Sequence, residues 1–462
     1  MHEATAADGS AEADQSARLD VLHVVFTFHP DPVGGTEVYV EALAEGLRRL
    51  GLACGIAAPG SRTVAQRGEL SIYRWRTGPV GLAMAQGRPD PADAIAFRRI
   101  LEQARPRIVH LHARTSAVST LLLDAAHEAG ARTVVTFHTP SMSCRRGTLM
   151  RGGITQCDGR LETVRCTDCI LQSGGVPSLA RTVLARIPDG IGAALDQRGF
   201  EGGVWTALRL RDLVAETNGD FHAFMARCDR VVAVCAWVER LLLLNGVPAS
   251  KIVLSRQGLA LDKSLGGDAG HRKPDGPGRL SDRRLRVVCF GRDDPAKGLD
   301  VIVAAVRPLA DVELDVFAVS RDGRGSGLEH LRSMAAGHPS ISIRPAVAPD
   351  QVMAEMRAAD LVAVPSLGLE TGPLVVLEAF AAGTPVIGSN LGGIAELVAH
   401  GVNGVLLPPG DIRAWSSALA GIAGDRGSLE RLRSAISPPR TMAAVVQEMD
   451  ALYRTLLGGT KP

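Results

Sequence analysis

Short apolar runs alternate with stretches of helical period along most of the chain. Residues 19–28, 53–58, 70–74, 106–112 and 132–140 read as strands, with helices predicted over 37–50 and about 91–103 between them. Further on, 228–235 reads as a strand, 236–245 as a helix closed by Gly246, and 252–258 as the last strand of the first half. The pattern then restarts: strand 285–290, helix 299–309, strand 312–319, helix 351–359, strand 360–366 and helix 374–382. Buried strands alternating with helices imply α/β domains with parallel sheets, whose ligands bind at the carboxyl ends of the strands.

Two breaks divide this pattern. Residues 259–282 are dense in Gly, Asp, Lys, Arg and Pro without periodicity and read as a linker, and 177–214 mixes apolar and arginine positions at a spacing expected of one or two amphipathic helices. The expected organisation is a disordered tail over 1–18 and a first α/β domain over 19–258 carrying a cysteine-rich, loop-rich insertion at 141–175. A linker at 259–283, a second α/β domain over 284–438 and a terminal helix within 439–458 complete it.

The chain has 462 residues, room for two or three full-sized cores, with 46% hydrophobic and 22% charged residues. A net charge of +2 argues against general nucleic-acid binding. No apolar run reaches membrane-spanning length, and the polar start lacks a signal-peptide pattern, so the expected location is the cytoplasm. The arginine-rich amphipathic stretch keeps peripheral association with the inner face of a membrane open.

Candidate chemistry centres on 366–388. A strand running through Gly372-Pro373 into a helix leaves the N–H groups of Thr371, Gly372 and Leu374 unpaired, which suits a phosphate. Glu370 and Glu378 flank that turn and repel a phosphate, so each is placed to accept from sugar hydroxyls on either side of it. The plainer alternative is an ordinary strand–helix unit whose acids are solvated or favour the helix dipole. In the second domain, strand 285–290 ends at Gly291-Arg292, with Lys297 following before a helix. Arginine can grip two phosphate oxygens while lysine adds a compact charge, and lysine is otherwise rare in this chain.

In the first domain, Gly34-Gly35 precedes a helix and permits close approach of a ligand, although a tight turn explains such a pair as well. His138 and, less securely, His112 stand at strand ends, where a histidine is more often a satisfied structural residue than a functional one. Cys144, Cys157, Cys166 and Cys169, four of the eight cysteines, fall in the insertion. One Cys-x-x-Cys pair with two more sulfurs suits a closed tetrahedral zinc site of structural type; a redox disulfide pair, an iron–sulfur cluster and four unlinked thiols remain the alternatives.

Glu370 and Glu378 followed by Gly383-Thr-Pro385, Gly392-Gly393, Glu396 and Gly404-Val-Leu-Leu-Pro408, together with Gly291-Arg292 and Lys297-Gly298, resemble the retaining glycosyltransferases of family 4, from about Val21 to Leu457. The turn after strand 312–319, Ala318-Val-Ser320, departs from the glycine-rich turn usual there. The resemblance implies the GT-B fold: two Rossmann-like domains facing across a cleft, the terminal helix crossing back to the first. It implies transfer of a sugar from a nucleotide-diphosphate sugar to a glycan, lipid-linked or small-molecule acceptor, without nucleic acid and without a cofactor in catalysis. Glu370, His138, Arg292 and Lys297 would be the catalytic residues. Glu378, Thr371, Gly372, Leu374, Gly34, Gly35 and Gly291 would bind the donor. Some bacterial relatives carry a similar cysteine cluster. A nucleotide-sugar epimerase of the same fold and a non-catalytic metal-binding scaffold are the rival readings. An NAD-dependent oxidoreductase lacks its Gly-x-Gly-x-x-Gly fingerprint here.

Overall fold

The computed structural model describes residues 18–31, 34–61, 65–76, 88–153, 155–200, 202–260, 283–320 and 325–458. Residues 1–17 of the tail expected over 1–18, and residues 261–282 of the expected linker, lie outside these residues.

Two sheets form two α/β domains. The first contains β1 (Val21–Val24), β2 (Cys54–Ala58), β3 (Gln66–Arg67), β4 (Leu70–Arg74), β5 (Ile108–Leu111) and β6 (Arg132–Phe137). After a small hairpin of β7 (Met150–Arg151) and β8 (Thr155–Gln156), β9 (Arg230–Ala233) and β10 (Ile252–Leu254) complete it. Its order is β10-β9-β6-β5-β1-β2-β4-β3, parallel except for the short edge pair β3–β4. The second holds β11 (Leu285–Arg292), β12 (Val312–Val319), β13 (Ile341–Pro345), β14 (Leu361–Val364), β15 (Val386–Ser389) and β16 (Gly404–Leu407), in the order β13-β12-β11-β14-β15-β16, parallel throughout. Apolar strands buried on both faces need helices on both sides, and two cores accordingly flank each sheet.

Several elements differ from the sequence expectation. The helix expected from residue 37 begins at Gly35 (Gly35–Arg49), because the Glu37 carboxylate accepts from Gly34 N–H at 2.7 Å and closes its first turn. The strand expected to reach 258 stops at Leu254, and the chain then leaves the sheet and runs toward the second domain. The stretch 177–214 holds three helices, Ser178–Leu184, Ile191–Gln197 and Gly203–Arg227, the last continuing well past the expected end. The insertion is not all loop, since Thr163–Ser173 is helical and carries Cys166 and Cys169 one turn apart.

The terminal helix Met442–Leu456, capped by Thr441, packs against Gly35–Arg49. Gly46 makes this possible, because a Cβ there would collide with the Val446 side chain. Tyr453 adds its hydroxyl to His110 Nδ1 at 2.6 Å inside the first domain. The crossover expected from the resemblance is therefore present.

Candidate active site

The loop 366–374 leaves β14 and meets the first domain directly. Leu369 N–H donates to Thr148 O at 3.0 Å, Thr371 Oγ1 donates to the His138 carbonyl, and the Trp237 indole donates to the Glu370 carbonyl at 2.9 Å. Leu369 and Leu391 are buried within the first domain's core. Glu396 adds a two-pronged contact, accepting from Ala236 N–H and Trp237 N–H at 2.8 Å each, so an acid of the second domain caps the helix Ala236–Leu244 of the first. The cleft is thus floored by hydrogen bonds between the domains.

Within it, Lys297 Nζ lies 2.6 Å from Glu370 Oε1, which also accepts from Ser366 Oγ at 2.9 Å. Lys297 is set by a single-turn helix, Pro295–Lys297, capped by Asp294, and by Gly298 in the left-handed region (φ 64°). Only glycine fits at 298, since a Cβ would overlap the Pro365 carbonyl. Arg292 ends β11 exposed, close enough to Glu37 of the first domain to draw that acid's pKa down, although burial, the larger effect, leaves it raised. Burial likewise raises Glu378, on the helix Leu374–Ala381.

Thr371, Gly372 and Leu374 stand at the start of that helix, as expected. Leu374 meets the glycine loop of the other domain, its Cδ1 lying 3.6 Å from where a Gly35 Cβ would be. Gly372 packs against the Gln257 carboxamide so closely that a Cβ would collide with it. Gly291 lies one residue before Arg292, under the Lys297 stem.

His138 is buried among neutral polar partners. Its Nε2 is 2.9 Å from His112 Nδ1, His112 Nε2 is 3.1 Å from His23 Nδ1, and its own Nδ1 is 3.5 Å from Gln257 Nε2. Burial drives His138 and His23 down to about 3, and His110 and His112 well below their usual value. Neutral imidazoles each carry one donor and one acceptor, so an amide proton from Gln257 would order the whole column and leave His23 Nε2, which has no partner, as the final donor. Among the described residues, His23, His110 and His112 are the one group of three His, Cys, Asp or Glu donors lying within 4.8 Å of one another. Apart from His23 Nε2, these nitrogens already serve one another, His138, Tyr453 and Thr136, so the arrangement is a hydrogen-bonded column rather than a ligand set.

Gln257 and Trp237 were not singled out from the sequence. Each acts on a partner more than 100 positions away, which no local pattern encodes. Glu396 lay within the matched motif, but its cap across the cleft has no sequence signal. The cysteines Cys144, Cys157, Cys166 and Cys169 line one cavity within the first domain.

Two facing Rossmann-like domains bridged by a terminal helix form the GT-B glycosyltransferase fold. Residues 284–425 match the family model described as Glycosyl transferases group 1, and residues 33–159 that of Glycosyltransferase Family 4. The D-inositol 3-phosphate glycosyltransferase of Nocardia farcinica is 34% identical over 223 residues, 45% of this chain and 48% of the relative. That of Rhodococcus jostii is 33% identical over 220 residues, 45% and 48%. The chain thus spans about half the length of the curated relatives it matches. Among solved structures, sucrose-phosphate synthase from Thermosynechococcus elongatus superposes with a TM-score of 0.62 at 19% identity, covering 95% of this chain and 99% of that one. HepE of Anabaena in complex with UDP and glucose gives 0.59 at 15%, covering 95% and 100%. The catalytic domain of starch synthase IV from Arabidopsis thaliana, bound to ADP and acarbose, gives 0.60 at 15%, covering 96% and 100%.

Proposed function

We propose that the chain is a retaining glycosyltransferase that moves a hexose from a nucleoside-diphosphate sugar to an acceptor hydroxyl. The observation that carries this reading is the convergence of Lys297, Glu370 and the 371–374 amides where the two domains meet. UDP and ADP complexes of proteins with this fold, and the glycosyltransferase names of the relatives, support a nucleotide-sugar donor.

Arg292, Lys297 and the N–H groups of Thr371, Gly372 and Leu374 hold the diphosphate and take up the charge that develops on it as it leaves. Two side-chain cations at the leaving group make catalysis independent of a divalent ion. Glu378 accepts from the ribose diol, Gly34, Gly35 and Gly291 let the backbone approach the donor closely, and Glu370 accepts from hydroxyls of the transferred sugar and stabilises its cationic transition state. His138, neutral and held by His112, offers Nδ1 to the sugar; its contact with Gln257 is the longest in the column. The anomeric carbon–phosphate bond breaks with its electron pair passing to the phosphate oxygen. The acceptor oxygen bonds to the carbon on the same face, and its proton passes to the departing phosphate.

D-inositol 3-phosphate is the first acceptor to try, after the relatives' names, followed by glycans and lipid-linked sugars. We place the reaction in the cytoplasm, at the inner membrane face. Exposed Leu179, Val183, Val204 and Trp205 on the helices near 178–205 would supply a peripheral contact, and no helix among the described residues is long and apolar enough to cross a membrane.

The test is product analysis by proton NMR with each donor and acceptor in turn. A product of unchanged anomeric configuration, formed only when acceptor is present, is expected. Donor epimerisation without acceptor, or a product of inverted configuration, would refute the reading.

A further inference from the structure

Cys144, Cys157, Cys166 and Cys169 come from three separate segments. Cys144 follows the short helix Pro140–Met142, Cys157 follows the β7–β8 hairpin, and Cys166 and Cys169 lie one turn apart on Thr163–Ser173. All four are half-buried and free, and all line one cavity of about 40 Å³, room for a single ion. Two sulfurs already accept backbone bonds, Cys169 Sγ from Gly152 N–H at 3.2 Å and Cys157 Sγ from Gly159 N–H at 3.4 Å. The same cavity is ringed by Arg145, Arg146, Arg151, Arg160 and Arg165. A divalent ion held by four thiolates carries net negative charge, which this collar offsets beyond the pairs that Arg165 makes with Asp158 and Arg160 with Glu162.

We propose that these four cysteines bind one zinc-class ion in a closed tetrahedral site that fixes the 144–157 segment against the Glu370 loop. Soft thiolates select zinc over hard cations, and four protein ligands leave no open position for chemistry. No three of the sulfurs lie within 4.8 Å of one another. Zinc–sulfur bonds of about 2.3 Å place tetrahedral sulfurs about 3.8 Å apart, so the proposed site requires the side chains to rotate into the cavity. The ion's consequence for the cleft follows from Thr148, midway along the segment. Its carbonyl accepts from Leu369 N–H at 3.0 Å, and its side chain packs on Gly368, so the metal braces the residues that lead into Glu370. This deepens the transferase reading but is measured without it.

The experiment is elemental analysis of the purified full chain, with alkylation of native protein before and after a strong chelator. One zinc per chain is expected, absent from Cys166→Ser/Cys169→Ser. Whether or not that variant folds, the wild type carries the test independently: chelation should turn four protected thiols reactive while Cys54, Cys228, Cys235 and Cys289 stay buried. Hydrogen exchange of the peptide spanning 366–370 should then quicken at least tenfold. A metal-free wild type, disulfides among the four cysteines, or iron with acid-labile sulfide would overturn the site. Unchanged exchange at 366–370 would overturn the brace.

Discussion

Lys297 Nζ sits 2.6 Å from Glu370 Oε1, an oxygen that Ser366 Oγ also holds at 2.9 Å. The cation assigned to the diphosphate and the acid assigned to the sugar therefore neutralise each other at the centre of the cleft. On the proposed reading, a donor's phosphate would compete with Glu370 for Lys297, and its sugar hydroxyls would then take up the freed carboxylate. The pair is part-exposed, with 32% and 22% of the two side chains accessible, so it contributes little to folding. Lys297→Ala should lower kcat by roughly 10²–10³-fold while shifting stability by less than about 1 kcal/mol. Nucleoside-diphosphate release in steady state, beside a denaturation curve, checks both.

The Glu396 cap joins the domains through Ala236 and Trp237, and Trp237 in turn holds the Glu370 carbonyl. Glu396→Ala should cost about 1–2 kcal/mol of stability, the range for a lost helix cap. It should also raise the donor KM more than it lowers kcat, because the proposed mechanism gives the residue no part in holding sugar or phosphate. Urea unfolding and steady-state kinetics of the same preparation separate the two effects.

The histidine column makes the fold acid-sensitive. His23 and His138 are driven down to about 3 and His110 and His112 well below normal, whereas each returns near 6.5 on unfolding. Below pH 6.5 the unfolded chain binds protons that the folded chain refuses. The stability present above pH 6.5 is therefore lost progressively as pH falls toward 3, by up to about 1.4 kcal/mol per pH unit for each group. Melting temperature should drop steeply between pH 6.5 and 5, and less steeply in His112→Gln.

Much of this was legible in the sequence, and the division has a physical cause. Strand and helix periods located both sheets, since β4 and β12 depend only on local burial and end where expected. Glu370, Arg292 and Lys297 could be singled out because each lies at a strand end or just before a helix, and Glu378 because it follows one turn into the helix after Gly372-Pro373. Gln257 was lost because 252–258 reads as one strand, while in the fold the chain turns away after Leu254 to carry it to Gly372. The helix Thr163–Ser173 was lost because cysteine spacing there suggested a loop. The helix Thr120–Glu128 gave no distinct signal beside the strands around it.

Docking of the terminal helix depends on Gly46, where a Cβ meets Val446. Gly46→Leu overpacks that contact and should cost about 1–3 kcal/mol. Val446→Ala should restore part of it in the double variant. Unfolding curves of the two single variants and the double form the cycle that checks it.

We propose one cleft that binds a nucleotide sugar, with Glu378 on the ribose. Its most direct test is thermal melting of the wild type and Glu378→Ala against a panel of nucleoside diphosphates and nucleotide sugars, with and without a chelator of divalent ions added at assay. A ligand at 100 times its Kd adds about 2.7 kcal/mol to the folded state, a shift easily read. Stabilisation by one base, lost in Glu378→Ala and indifferent to brief chelation, is expected. Equal shifts in wild type and Glu378→Ala, or no shift with any nucleotide, would contradict it.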